Sequence, residues 1–331
     1  MVSAGWSFQG FLRRASAPLL LCVLLFVSCG GGGTARVKEP KRPVIAVVQF
    51  VQHPTLDRVR EGFTSYFAQQ GRSVDFRNYN AQGDFPTAAM IAQQLRDGGA
   101  DLVFVITTPA AQACATAIRT TPVVFGAVTD PVSAGLVASL ERPGRNVTGV
   151  SDMTPMDPEV ELILEIQPTC RTLGTIYNAS ESNSRTLIGL LRDACRKRNL
   201  TLKEATVSSS SEVLQASMGL VGQVDAMFMT QDNTVASGFE GLLKPCRDNR
   251  RPLYAAESAS VSLGAIAAVS LDYSKLGAQS AAMVERILNG AKPGETPVET
   301  QKDLGVYVNR EAADWFRVTL PESVLQRAVN Q

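Results

Sequence analysis

The sequence predicts an α/β protein of two doubly wound lobes, each with a parallel sheet and helices on both faces. Its 331 residues exceed what one hydrophobic core usually supports. From residue 44 onward, short β-rich apolar runs alternate with helical patterns, the mark of βαβ units. That alternation pauses near residue 151 and restarts near 173, so one architectural unit is used twice without a residue-level repeat.

In the first half, residues 44–50, 74–79, 102–106 and 122–125 read as strands, because each is bounded by turn or cap residues. Between them, Leu56, Val59, Phe63, Tyr66 and Phe67 share one helical face, and Ala88, Ile91, Ala92 and Leu95 share another. A strand-like segment at 146–151 then leads through Thr154-Pro155-Met156-Asp157 into the second series. Strands are expected there at 173–177, 201–207, 226–229, 253–256 and 265–271. A helix with Leu187, Leu190, Leu191, Ala194 and Cys195 on one face follows the first of them. The helix at 276–288 stops at Asn289-Gly290, and the tail adds a strand at 304–308 and terminal helices within 310–329.

Composition narrows the function classes. Hydrophobic residues make up 45% and charged residues 19%, as in a folded globular protein, and 32 basic side chains face 31 acidic ones. No basic stripe is visible, so nucleic acid is not an expected partner. Arg13 and Arg14 precede an apolar stretch at 19–27 that is shaped like a signal peptide and is short for a membrane span. It ends at Phe26-Val27-Ser28-Cys29 before a glycine run, which resembles a bacterial lipobox with Phe26 in place of the usual Leu. By that resemblance Cys29 is the lipidated first residue, anchoring an exported protein to the cell membrane or to the outer membrane facing the periplasm. Residues 1–28 are then the signal peptide and 29–42 the tether. A signal peptide cut elsewhere and an amino-terminal membrane anchor are the alternatives.

Cys114, Cys170, Cys195 and Cys246 are scattered without metal-ligand spacing, so no metal is expected and burial as small hydrophobes is the plain reading. A disulfide between Cys170 and Cys195 stays open. No GxSxG, HExxH or Walker pattern is present and there is one histidine, so neither an enzyme nor a cofactor is expected.

A series of short motifs arrives in fixed order. They are His53-Pro54-Thr55-Leu56-Asp57, Thr107-Thr108-Pro109-Ala110-Ala111-Gln112, Pro122-Val123-Val124-Phe125, and the segment from Asp130-Pro131 to Leu136-Val137. Asn146-Val147-Thr148-Gly149-Val150-Ser151, the run from Tyr177-Asn178 to Asn183-Ser184, Asp232-Asn233-Thr234-Val235 and Asp272-Tyr273 with Leu276-Gly277 complete it. Together they resemble the ABC transporter substrate-binding family that includes tryptophan- and tyrosine-binding members, over nearly the whole mature chain. The resemblance implies a periplasmic-binding-protein fold of type 1, its lobes joined by crossing strands and closing over ligand by hinge motion. The expected partners are a small molecule, most plausibly an aromatic or other amino acid, and an ABC transporter permease, with the chain itself a monomer. Lobe 1 is expected at 43–151 plus 273–292 and lobe 2 at 152–272 plus 293–331.

Ligands of open α/β sheets lie beyond the carboxyl ends of the strands, which selects the candidate residues. Thr107 and Thr108 follow a strand, and Pro109 and Ala110 open the next helix, whose free N–H groups suit a carboxylate or simply begin a helix. Asp130 is expected to pair with a ligand ammonium, with a turn cap before Pro131 as the alternative. His53 is either a ligand donor or a helix cap. Asn178, Ser180, Glu181 and Asn183 are expected to close from the second lobe, two of the four touching ligand, and Asp232 and Asn233 join them unless they only cap a helix. Phe50 and Tyr177 are the favoured stacking partners among aromatics that are otherwise core. The other functions weighed are an extracytoplasmic sensor or co-receptor and a sugar or nucleoside binder of the same fold.

Overall fold

The computed structural model describes residues 42–329; the signal segment and Cys29 lie outside the described residues. The first lobe contains β1 (Val44–Gln49), α1 (Pro54–Gln69), β2 (Asp75–Asn80), α2 (Phe85–Arg96), β3 (Leu102–Ile106), α3 (Thr108–Ala117), β4 (Val123–Gly126) and β5 (Val147–Ser151). Then come α4 (Met156–Ile166), β6 (Thr172–Tyr177), α5 (Ser182–Lys197), β7 (Thr201–Thr206), α6 (Val213–Val221), β8 (Ala226–Met229), α7 (Asn233–Ser237) and α8 (Phe239–Asp248). The chain ends with β9 (Leu253–Ala255), α9 (Ser258–Leu263), β10 (Ala267–Leu271), α10 (Tyr273–Leu288), β11 (Glu299–Thr300), β12 (Leu304–Val308), α11 (Arg310–Phe316) and α12 (Glu322–Arg327).

Two parallel sheets result, in the orders β11-β5-β4-β3-β1-β2 and β7-β6-β8-β9, with β10 and β12 forming an antiparallel pair. The runs β2-β1-β3-β4 and β7-β6-β8-β9 have the same winding. Central strands such as β3, LVFVI, are apolar throughout because helices cover both faces. Edge strands β2, DFRNYN, and β7, TLKEAT, are polar and partly exposed for the opposite reason. Each sheet has its own core. Phe63 stacks on Phe104 at 3.8 Å in the first, while Ile163, Leu187, Phe228 and Phe316 belong to the second.

The lobes are joined where the chain crosses after β5, between β10 and α10, and between β11 and β12. The first crossing is held at both ends. Ser151 Oγ donates to the Thr129 carbonyl (2.9 Å), and beyond it the Val269 N–H donates to Glu159 Oε2 (3.1 Å). Helices α1 and α10 cross closely because glycines meet there: a Cβ on Gly62 would lie 2.1 Å from the Ser274 carbonyl oxygen, and one on Gly277 would lie 2.1 Å from that of Val59.

Two boundaries differ from those expected, and the described cysteines are unpaired. Strand β11 pairs with Val150 and Ser151 of the first sheet, although 293–331 had been assigned to the second lobe; two polar-edged residues carry no periodic signal. Helix α10 begins at Tyr273, three residues before the expected 276, because Asp272 caps the N–H groups of Ser274 and Lys275. Cys170 and Cys195 are free thiols, as are Cys114 and Cys246, and all four are buried.

Candidate functional site

The carboxyl ends of the two sheets face one narrow cleft, with a free cavity of only about 20 Å³. Its first wall is the turn from β3 into α3. Thr107 stands at φ +84°, a region that costs a non-glycine residue about 1–3 kcal/mol. Its N–H is spent on the Gly126 carbonyl (3.1 Å), yet the hydroxyls of Thr107 and Thr108 are buried without partners. Behind them Pro109 and Ala110 begin α3, whose first amides have no helical acceptor. The wall therefore offers hydroxyls, N–H groups and the positive end of a helix to an anion.

Two carboxylates face it. Asp152, 5% exposed, follows β5 and accepts from Thr129 Oγ1 (3.2 Å) and, at 3.5 Å, from the Tyr273 hydroxyl. Glu257, 6% exposed, follows β9 and accepts from Thr55 Oγ1 (2.9 Å). Burial pushes Asp152 up to about 6, with Glu257 adding repulsion, and burial pushes Glu257 up to about 7. Among the described residues no lysine or arginine pairs with either. His53 lies 3.7 Å from Glu257, but burial lowers its pKa to about 4, so the ring is neutral at pH 7. Its Nδ1 accepts the Thr55 N–H (3.3 Å), so the proton sits on Nε2, which is buried with no acceptor.

The opposite wall is built from α5 and α7. Asn183 donates to the Gln231 carbonyl (3.0 Å) and leaves its own Oδ1 unpartnered, as is Gln231 Oε1. Deeper in, Glu181 accepts from Asn233 Nδ2 (2.6 Å), the Thr234 N–H (3.0 Å) and Thr234 Oγ1 (2.8 Å). Asp232 accepts from the Asn178 N–H (2.7 Å), Ser184 Oγ (2.7 Å) and the Val235 N–H (2.8 Å). Burial and the neighbouring Glu181 push Asp232 upward against those donors. Across the cleft mouth, Thr55 reaches Glu257 and Arg58 donates to Ser258 Oγ (3.2 Å), so the lobes are in contact. A second concavity beside β1 and β2 is self-satisfied, since Gln49 donates to Asp57 (3.2 Å) and Arg60 pairs with the same carboxylate.

The profile of the family described as ABC transporter substrate binding protein matches residues 44–331. The chain belongs to that family. Its role is that of the extracytoplasmic substrate-binding component, which delivers a small molecule to an ABC importer. A curated relative, the tyrosine-binding protein of Clostridioides difficile, is 38% identical over 282 residues, covering 83% of this chain and 81% of the relative. A Streptococcus pneumoniae ABC domain solved in complex with L-Trp is 37% identical, with a TM-score of 0.85 over 87% of this chain and 99% of that one. The ligand-free, open structure of a Clostridium difficile substrate-binding protein with adhesive properties is 36% identical, yet its TM-score is 0.66 over 86% and 98%.

Of the residues expected at the substrate-binding site, Thr107, Thr108, Asn183 and Asn233 line the cleft, with Pro109 and Ala110 beneath the first two. His53 stands beside it, against Glu257. Asn178, Glu181 and Asp232 are the internal bracing of the second wall. Four further candidates lie away from the cleft. Asp130 accepts the Ser133 N–H (3.0 Å), so the turn-cap alternative holds there. Phe50 packs on Phe85 at 5.1 Å, Tyr177 is core in the second lobe with its hydroxyl toward Arg192 (3.5 Å), and Ser180 is exposed in the loop before α5. Thr129, Asp152, Gln231, Glu257 and Tyr273 also line the cleft and are not among the residues expected there from the sequence. Asp152 carries the same signal as the others, a polar residue just after a strand.

Proposed function

We propose that this substrate-binding protein captures an α-amino acid with an aromatic side chain, held by both of its charged ends. Asp152 and Glu257 carry the reading: two buried carboxylates with no cation of the protein, opposite a helix start whose hydroxyls lack partners. A ligand ammonium supplies the missing charge, and a ligand carboxylate takes the α3 amides with Thr107 and Thr108. Leu56 and Tyr273 offer the apolar side of the cleft, Tyr273 replacing Phe50 and Tyr177 as the aromatic partner. Relatives named for tyrosine and for L-Trp support the aromatic class. At nearly equal identity, the higher TM-score to the L-Trp complex than to the open form supports a closed arrangement of the lobes here. Asn183, Gln231 and Asn233 then complete the site on closure, and ligand favours that state only by binding it better.

Calorimetric titration of residues 42–331 with L-tryptophan, L-tyrosine, L-phenylalanine, ribose and adenosine tests this. Binding of the aromatic amino acids with loss of affinity for their N-acetyl forms is expected. Binding of ribose or adenosine alone keeps the family and discards the ligand. Indole N–H and phenol O–H can both donate to an unpartnered acceptor such as Gln231 Oε1 or Asn183 Oδ1, so phenylalanine is expected to bind least well. We place the chain as a monomer on a membrane by a lipid on Cys29, supported by the Ser28-Cys29 junction. Mass spectrometry of the mature amino terminus checks it, with a non-acylated terminus refuting the anchor.

A further inference from the structure

A further polar cavity lies at the edge of the first sheet opposite the cleft. Its free volume is about 150 Å³, and α3, the turn from Ala134 to Leu136 and the approach to β5 form its walls. Arg119 stands just after α3 and Arg145 two residues before β5, so both precede strands, whereas the cleft residues follow them. Both arginines line this cavity, and no aspartate or glutamate does. Among the described residues neither guanidinium has an ion pair or a hydrogen bond, whereas Arg72, Arg192 and Arg198 each hold a carboxylate.

The fold holds the two arginines together. Asn146 Nδ2 donates to the carbonyls of Ile118 (3.2 Å) and Thr121 (2.7 Å), which ties the residue after Arg145 to both sides of Arg119. Behind Arg145, the Gly144 N–H donates to the Gly294 carbonyl (3.0 Å), and a Cβ on Gly294 would lie 2.6 Å from the Arg145 carbonyl oxygen. Gln112 closes the far side by donating to the Ala134 carbonyl (3.0 Å). The backbone around the cavity is therefore fixed without a ligand.

Two like charges brought to one small cavity repel, and an anion between them reverses that cost. Arg119 also complements the carbonyl end of α3, but Arg145 belongs to no helix and has no such role. A guanidinium is a planar fork of donors that matches phosphate oxygens. Ala115 and Leu136 are buried, so the walls give a carbon skeleton little to pack on, and a compact dianion fits both the charge and the space. The described chain begins on this same edge: the Val44 N–H donates to Asp101 (2.8 Å), that of Val103 to the Pro122 carbonyl and that of Val123 to the Asn146 carbonyl. A phosphate group can therefore arrive from solution or, with an acyl anchor on Cys29, from a lipid headgroup.

We propose that Arg119 and Arg145 form an anion site for a phosphate group on the first lobe, separate from the substrate cleft. This does not depend on which molecule fills the cleft, so failure of L-tryptophan to bind leaves it standing.

Titration of residues 30–331, which hold the whole matched region, with inorganic phosphate tests it in calorimetry. Saturable one-to-one binding is expected, weakened about 10-fold by R119Q or by R145Q. R142Q, which removes an exposed arginine outside the cavity, should change it by less than about 2-fold, and all three variants should melt as the parent does. If R145Q melts lower, R145K, which keeps the charge and loses the fork, decides instead by a several-fold loss. Cosedimentation with phosphatidylglycerol vesicles separates the sources. Vesicle binding that R119Q and R145Q remove and R142Q does not assigns the site to a headgroup; phosphate binding without it assigns the site to a free phosphate group. Absence of both overturns the proposal, and so does binding that R142Q weakens as much as the other two, which is attraction by general charge.

Discussion

Polar residues just after strands both face the cleft and brace it from behind, and the two sets use the same material in opposite ways. On the second wall Glu181 and Asp232 are saturated by neighbours within their own lobe, so their carboxylates brace α5 and α7. At the cleft itself, Thr107 and Thr108 hold hydroxyls with no partner, Asn183 Oδ1 and Gln231 Oε1 are likewise unpartnered, and Asp152 and Glu257 face the space with no cation. Satisfied polar groups stabilise a fold, whereas buried unsatisfied ones cost it and are retained where a ligand completes them. Binding and bracing are thus distinguished by hydrogen-bond accounting, not by residue type.

The sharpest way to break this contrast is Asp152→Ala. Removing a buried partner of the ligand ammonium should weaken L-tryptophan by about 4 kcal/mol in calorimetry, with no loss of melting temperature in the ligand-free protein. A destabilised ligand-free variant would put Asp152 among the bracing groups. Asp232→Ala should behave in the reverse manner. Three buried donors lose their acceptor, so urea unfolding should show about 3 kcal/mol less stability, while the folded fraction binds ligand nearly normally.

Proton linkage separates the two sets further. Asp152 and Glu257 sit near 6 and 7 without ligand, above their ordinary values, so their protonated forms favour the ligand-free fold at low pH. That contribution is complete below pH 4 and is lost as pH rises through 6 and 7. Binding runs the other way, because an ammonium requires ionised carboxylates: affinity should fall by up to about 10-fold per pH unit between 7 and 6, and by up to about 100-fold per unit below 6. A flat profile from pH 8 to 5 would remove both carboxylates from ammonium binding. Thr107→Gly tests the strained turn on a smaller scale. Relief at φ +84°, less the entropy of a new glycine, should stabilise the fold by about 1 kcal/mol and weaken the ligand several-fold. The smallest effect belongs to Asp130→Ala, where affinity should stay within about 2-fold because its carboxylate caps Ser133.

The fold was legible because burial imposes period and composition locally. The runs 102–106, 226–229 and 304–308 match β3, β8 and β12 residue for residue. The first wall was legible too, since a strand followed by Thr107-Thr108-Pro109 marks a helix start at a sheet's carboxyl edge. Asp130 and Asp152 were not separable in this way. Both follow a strand of the first sheet, and which one enters the cleft depends on how the chain leaves that strand: Asp130 turns back through Ser133, and Asp152 heads the crossing to the second lobe. Phe50 and Tyr177 pack into the layers instead, because an aromatic at a strand end faces core or cleft according to its neighbours there.

By itself, the sequence determined the α/β class, the doubling of the unit and the family motifs, since these are written in local periodicity and in short ordered words. Tertiary structure alone decided which carboxylates meet without a cation and which are spent on bracing. Those facts concern residues far apart along the chain, such as Thr55 and Glu257 or Asn178 and Asp232, whose distances only the packed sheets and their crossings fix.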